Sequence, residues 1–193
     1  MQQKVKLSLL LLGSKGCGKS SLVQRWISPL NIPRCTETLA IDVVSNLLRI
    51  GGTYNMVRFW DTTGADHYDD LLERYIYNAD CCVVVFDVTN VESWEKAKYW
   101  VETIKKTNGR KVPVCLVSNK IDMESKRKIH KADVMDYVRT SDMKCLMCSE
   151  TSAITGENMK ATYRLIVTFC KKPVREVWTY DQTPSSASGC LIV

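Results

Sequence analysis

The chain lacks a second C-x-x-C. Cys145 and Cys148 form one such pair, but no other stands at zinc-site spacing, so packing is the reading for these thiols. An even cysteine count is missing as well. The nine at positions 17, 35, 81, 82, 115, 145, 148, 170 and 190 are odd in number, and several lie inside strand-like runs, which argues against a disulfide framework and for reduced cytosolic thiols. Aromatics are absent around the densest basic piece, Lys126-Arg127-Lys128 with His130 and Lys131, and the net charge of +6 is mild. That piece reads as a solvated loop, so no nucleic-acid partner is expected. The apolar start up to Leu12 is too short for a secretory core and reads as a buried first strand. No internal repeat is found. What remains is 193 residues with 45% hydrophobic content and ordinary charge density, enough for one globular domain with a sizeable core and a short tail.

Short apolar strands alternate with helix-like stretches. Strands are expected at Val5–Leu12, Leu39–Ile50, Met56–Trp60, Cys81–Val88, Val112–Ser118 and Lys144–Cys148, and helices at Lys19–Ile27, Asp69–Asn78, Ser93–Thr107, Lys131–Thr140 and Glu157–Lys171. The runs at 81 and 112 are continuously apolar, as strands covered on both faces are. Gly51-Gly52 marks a hairpin between the second and third strands. The fold class is therefore α/β: a six-stranded, mostly parallel sheet with one antiparallel strand and helices on both faces.

Directly after the first strand, Gly13-Ser14-Lys15-Gly16-Cys17-Gly18-Lys19-Ser20 spells G-x-x-x-x-G-K-S, a P-loop, with Ser21 following. Its glycines let the backbone curl until N–H groups point at phosphate oxygens, Lys19 reaches the β and γ phosphates, and the Ser20 hydroxyl holds Mg²⁺. Three partners follow, each after a strand: Asp61-Thr62-Thr63-Gly64, Asn119-Lys120-Ile121-Asp122 and Ser152-Ala153. Asp61 suits a metal held through water, and the Gly64 N–H suits the γ-phosphate. Asp122 selects the base. Its carboxylate accepts from the N1–H and amino group of guanine, a donor pair adenine lacks, while Asn119 with Lys120 fixes the surrounding loop and covers one face of the ring.

These residues, with Phe59-Trp60-Asp61-Thr62-Thr63-Gly64, Thr38-Leu39-Ala40-Ile41-Asp42, Phe86-Asp87-Val88-Thr89-Asn90 and Glu150-Thr151-Ser152-Ala153-Ile154-Thr155-Gly156-Glu157-Asn158, resemble the Ras-superfamily small GTPases, and among them the Rab family, over residues 5 to 172. The resemblance implies a P-loop NTPase G domain over 1–172 with a hypervariable tail over 173–193, binding GTP or GDP with Mg²⁺. Thr38 becomes the switch threonine on Mg²⁺ and γ-phosphate, giving Ser20, Thr38 and Asp61 as metal residues and Lys19, Thr38 and Gly64 as the catalytic set. Ile154 stands at the lysine of the family's SAK motif, beside the base. Val43, Trp60 and Tyr75 take the positions of three effector-facing residues, with plain core packing as the other reading. Exchange factors, GTPase-activating proteins and a prenyl-binding carrier are the implied partners.

The departures are specific. Ala65 replaces the water-orienting glutamine, and a methyl group cannot orient water; His67 nearby is read as a solvated switch residue. Lys15 stands at the P-loop position nearest the γ-phosphate, where it neutralises charge or blocks a partner's arginine. Asn31 replaces the aromatic at the guanine edge and Ile154 the lysine of the SAK motif, so base-side contacts are expected to be weak and GDP release quick. The chain ends in Cys190-Leu191-Ile192-Val193, a C-a-a-X signature that suggests prenylation, with no neighbouring cysteine or polybasic run. This ending resembles the small CaaX-ending Rab subgroup, some of whose members work at cilia. The expectation is a switch in vesicle or ciliary traffic on the cytoplasmic face of a membrane, partitioning with cytosol, with the ciliary base as one candidate site. Two other classes stand beside it: a pseudo-GTPase scaffold held largely with GTP, and the ATPases with an additional P-loop lysine. The last fits poorly, because Ser14 intervenes before Lys15 and Asp122 favours guanine.

Overall fold

The structure, a computed structural model, describes residues 5–33, 37–50, 53–107, 112–141, 143 and 146–171. Its strands are β1 (Val5–Leu12), β2 (Ile41–Ile50), β3 (Thr53–Thr62), β4 (Cys81–Asp87), β5 (Val114–Asn119) and β6 (Leu146–Glu150). Between and after them run α1 (Lys19–Ile27), α2 (Asp69–Ile76), α3 (Val91–Thr107), α4 (Lys131–Thr140) and α5 (Met159–Lys171).

The apolar runs become central strands because both of their faces are covered. Leu7, Leu9 and Leu11 of β1 join one core layer and Leu10 and Leu12 the other, since successive strand residues point to opposite faces. In β4 every residue is buried, and the split repeats: Cys81, Val83 and Val85 on one side, Cys82, Val84 and Phe86 on the other. The first layer is closed by Leu22, Val23 and Trp26 of α1 and by Tyr163, Ile166 and Val167 of α5. Here Trp26 stacks on Phe59 at 5.9 Å and on Tyr163 at 5.6 Å, ring contacts of the kind that add about 0.5–1.5 kcal/mol each beyond area burial. The second layer is closed by α2, α3 and α4 through Leu72, Ile76, Trp94, Trp100, Ile104 and Val134.

The sheet order is β2-β3-β1-β4-β5-β6, with β2 antiparallel to β3 and every other pairing parallel. Ile50 pairs with Thr53, so the two strands meet where the hairpin is expected, although Gly51-Gly52 itself lies outside the described residues. The carboxyl ends of the parallel strands share one edge, on which β1 stands between β3 and β4. That edge is where ligands sit in open α/β sheets.

Element ends differ from the sequence reading for local reasons. β2 begins at Ile41 rather than Leu39 because the chain bends at Leu39-Ala40, leaving Leu39 84% exposed and Ala40 accepting from the Thr63 N–H at 2.7 Å. Pairing with all of β2 extends β3 beyond Met56–Trp60 at both ends. α3 starts before Ser93 because the Asn90 side chain accepts from the Ser93 N–H at 3.2 Å, an N-cap that opens the helix at Val91. Positive φ at Gly156 and Asn158 delays α5 to Met159. Lys144, Cys145, Cys35 and the segment from residue 172 onward, with the tail and Cys190, lie outside the described residues.

Candidate functional site

The first element of the site is the loop from Gly13 to Gly18, between β1 and α1. Gly18, the N-cap of α1, sits at φ 102 and makes no side-chain cap, so no side chain of its own competes with an anionic ligand for the first backbone N–H groups of α1. A Cβ at Gly18 would collide with Nδ2 of Asn119, so this glycine is also what lets the two loops touch. The Lys19 ammonium, 5% exposed, donates to the carbonyls of Gly13 and Ser14 at 2.9 Å each. It therefore lies folded over the loop whose phosphate reach the sequence predicts.

Opposite the loop stand Thr38 and the end of β3. The bend at Leu39-Ala40 turns Thr38 inward, where its hydroxyl lies 2.9 Å from that of Ser20 and donates to Oδ2 of Asp61 at 3.4 Å. Asp61 is 5% exposed, and burial raises its pKa above the ordinary 3.8. Its other oxygen, Oδ1, has no hydrogen-bond partner among the described residues. A carboxylate with one orphaned oxygen, beside two hydroxyls bonded to one another, is an all-oxygen donor set that fits a hard divalent cation of the Mg²⁺ kind, which takes oxygen ligands and keeps several waters. Lys15, Gly16, Gly18, Lys19, Ser20, Ser21, Thr38 and Gly64 line the adjoining cleft of about 250 Å³. A larger cleft of about 720 Å³ follows α1 and the next loop; it shares Ser20 and Thr38 with the first and is lined by Asp61 as well.

Gly64 docks on the loop from the other side, its carbonyl accepting from the Lys15 N–H at 3.1 Å. A Cβ there would strike the backbone of Lys15, so no other residue permits the approach. Ala65 follows, with His67 exposed and its ring 4.2 Å from that of Tyr68, as the reading of a solvated histidine expects. The Lys15 ammonium pairs with Glu37 at 2.6 Å, both side chains well exposed at the mouth of the cleft. Lys96 of α3 grips the segment after Ala65 through Asp66 at 2.8 Å and through Asp69. Its hydrogen bond holds the Asp66 carboxyl below the ordinary range; the two carboxylates carry the Lys96 ammonium above its own, against the opposing effect of burial.

A second cluster sits past β5 and β6. Asn119, 1% exposed, donates from Nδ2 to the Cys17 carbonyl at 2.9 Å, and its Oδ1 accepts from the Ala153 N–H at 3.3 Å and the Thr151 hydroxyl at 3.5 Å. One side chain thus ties the phosphate loop to the loop after β6. Asp122 is exposed and accepts from the Ser152 hydroxyl at 2.5 Å, which in turn accepts from the Thr155 N–H at 3.0 Å. Lys120 lies between them at φ 67, a left-handed conformation that side chains adopt at a cost of order 1 kcal/mol and that clusters at functional sites. Its ammonium bonds Oδ2 of Asp87 at 2.6 Å. Burial opposes, but the bonds from Lys120 and Thr89 hold the Asp87 carboxyl below its ordinary value.

The structure brings together every sequence-derived position from Gly13 to Ser21 with Thr38, Asp61 and Gly64, and separately Asn119, Lys120, Asp122, Ser152 and Ala153. The Ile154 side chain is 47% exposed; what it contributes inward is its carbonyl. Cys17 is buried, its thiol pKa raised by burial, so its carbonyl is its contribution to the site. Val43 is 51% exposed and pairs across the strands with Trp60, whose ring lies 5.3 Å from that of Tyr75; the last two are half-buried. They form one outer patch whose inner edge meets the core, so surface and packing readings each hold in part. Glu37, Asp87, Lys96 and Arg25 went unassigned in the sequence reading. Asp87 alone carried a signal, inside Phe86-Asp87-Val88-Thr89-Asn90, since an ion pair across distant loops leaves no spacing in the sequence.

An open α/β sheet with a phosphate loop between β1 and α1 and an Asn-Lys-x-Asp turn after β5 defines a P-loop nucleotide-binding protein of the G-domain type. Residues 8–172 match the profile of the Ras family. The chain is 33% identical over 139 residues to the Ras-related protein Rab-21 of Geodia cydonium, a match covering 72% of this chain and 61% of that protein. It is 32% identical over 172 residues to the GTP-binding protein ypt5 of Schizosaccharomyces pombe, covering 84% of this chain and 76% of that one, and 32% identical over 161 residues to the Ras-related protein RABF2b of Arabidopsis thaliana, covering 83% and 79%. The chain belongs to the Ras family of small GTPases and is Rab-like within it. Members of that family bind GTP and GDP with Mg²⁺ and hydrolyse GTP. No helix among the described residues is long and apolar enough to cross a membrane.

Proposed function

We propose that the chain is a guanine-nucleotide switch of Rab type with slow intrinsic hydrolysis, acting on a membrane in vesicle or ciliary traffic. The observation that carries the nucleotide reading is the convergence of two clusters on one strand edge: Lys19, Ser20, Thr38 and Asp61 for phosphate and metal, Asn119, Asp122 and Ser152 for the base. Ser20, Thr38 and Asp61 would hold Mg²⁺, which supplies charge neutralisation at the phosphates when bound. Lys19 turns from the Gly13 and Ser14 carbonyls to the phosphates. Thr38 and Gly64 carry the nucleotide state outward, because each belongs to a loop that touches the cleft only through a few bonds. Ala65 leaves the attacking water without the side chain that orients it, so turnover is slow. The domain occupies 1–172 and the tail 173–193, with the prenylated Cys190 giving weak, reversible attachment. The outer patch of Val43, Trp60 and Tyr75 receives effectors.

A second reading, a scaffold held largely with GTP, draws on Ala65 and on the Lys15–Glu37 pair at the mouth of the cleft, which stands where a partner's arginine would enter. Competition titration separates guanine specificity from generic phosphate binding. GTP and GDP displace a fluorescent GDP analogue in Mg²⁺ while ATP does not, and Asp122→Ala removes most of that preference, each lost charge-assisted bond being worth about 1.5–3 kcal/mol. Equal ATP and GTP affinity in the unmodified protein overturns the proposal.

A further inference from the structure

Arg25, in the last turn of α1, is 9% exposed, and no carboxylate pairs with it among the described residues. Instead its guanidinium reaches two backbone carbonyls from separate loops: Nη1 donates to Asn31 at 2.8 Å and Nη2 to Ile154 at 3.0 Å, while Nε has no hydrogen-bond partner among the described residues. Asn31 belongs to the loop after α1 and Ile154 to the loop after β6. The latter follows directly on Ser152 and Ala153, which are bonded to Asp122 and Asn119. Room for the fork is made by Gly156, at φ 86, where a Cβ would come within 2.9 Å of Nη2. Burying a cation without a counter-ion is unfavourable, so a guanidinium whose bonds among the described residues go to two loop carbonyls calls for a compensating role.

We propose that Arg25 is a positioning residue for nucleotide retention: a two-pronged clamp that holds the loops at Asn31 and Ile154 together as the two banks of the base cleft. This inference rests on the guanine-nucleotide reading above. Asn31 and Ile154 are the two positions whose side chains make the base-side contacts look weak, and Arg25 holds both by their backbone, independently of those side chains. The planar fork fixes both carbonyls at once, which a single ammonium cannot do with the same geometry. α1 also carries the phosphate loop on its other end, six residues away at Lys19 or about 9 Å along the axis, so one rigid helix references both halves of the site.

Dissociation of a fluorescent GDP analogue from the full chain, chased with excess GDP in Mg²⁺, tests this. Release is expected to quicken about 10- to 100-fold in Arg25→Met and about 3- to 10-fold in Arg25→Lys, with the association rate and the single-turnover hydrolysis of bound GTP unchanged. Val167→Ala, a buried truncation in α5, controls for general loosening: it lowers thermal stability and leaves release at the wild-type rate. Wild-type release from Arg25→Met overturns the clamp, as does release that quickens equally in Val167→Ala. Should Arg25→Met not fold, Arg25→Lys decides alone, a wild-type rate overturning the two-pronged role. If the unmodified chain retains no guanine nucleotide, the functional reading fails and the clamp with it; effects confined to the variants bear on the clamp only.

Discussion

Replacing Asn119 with alanine tests whether this side chain is a strut of the folded site or only a reader of the base. Its amide joins the Cys17 carbonyl at 2.9 Å, the Ala153 N–H at 3.3 Å and the Thr151 hydroxyl at 3.5 Å while being 1% exposed. A net bond is worth about 1 kcal/mol, and a buried partner left unsatisfied costs about 1–3 kcal/mol. Counting the short bond to Cys17 in full and the two longer ones at half weight, then adding a modest penalty for the stranded Ala153 N–H, gives a loss of about 3 kcal/mol. For a domain of this size that corresponds to a fall of roughly 6–12 °C in Tm. Urea unfolding of nucleotide-free protein measures it, because ligand mass action would otherwise mask the loss. Asp122→Ala is the comparison: the carboxylate is exposed with one described bond, to Ser152, and its removal should change stability by less than about 1 kcal/mol. A loss below about 1 kcal/mol in Asn119→Ala would refute the strut, leaving the residue a base contact alone.

Ala65→Gln should raise single-turnover hydrolysis from below the Ras-like intrinsic rate, on the order of 10⁻⁴ per second, toward it, and an unchanged rate would place the limiting feature elsewhere. The Lys120–Asp87 pair sets a pH dependence. Because Asp87 titrates below its ordinary 3.8 in the folded chain, the pair's contribution is complete above that value and fades as pH falls through the lower folded value. Denaturation curves of wild type and Lys120→Met should therefore differ by a constant amount above about pH 5 and converge in stronger acid; a gap that widens on acidification contradicts the sign. Cys190→Ser should make the protein wholly soluble in a prenylation-competent cell with nucleotide affinity intact, fractionation and mass spectrometry of the C-terminal peptide being the readouts. An unmodified Cys190 in the wild type removes the anchor.

Much of this molecule is local in origin, and such parts are legible. The P-loop is eight consecutive residues whose glycines and Lys19-Ser20 must be contiguous to curl round a phosphate, so spacing alone reveals it. The strands at 81 and 114 read clearly because burial on both faces demands unbroken apolar runs. Element ends were less legible where a tertiary contact decides them, as at Leu39-Ala40, where the turn that brings Thr38 to Ser20 ends the strand pattern early.

Chain order and residue type by themselves determined the α/β alternation, the phosphate loop and the Asp-x-x-Gly and Asn-Lys-x-Asp turns, since each is a short segment with its chemistry inside it. Only the tertiary structure decided that Lys15 meets Glu37, that Lys96 holds Asp66 and Asp69, that Lys120 pairs with Asp87, and that Arg25 spans from Asn31 to Ile154. The reason is geometric. These partners come from different loops and helices, brought together by strand order β2-β3-β1-β4-β5-β6, and a long flexible cation can reach any carboxylate or carbonyl within its length, so which one it finds is set by the assembled fold and leaves no periodicity in the chain.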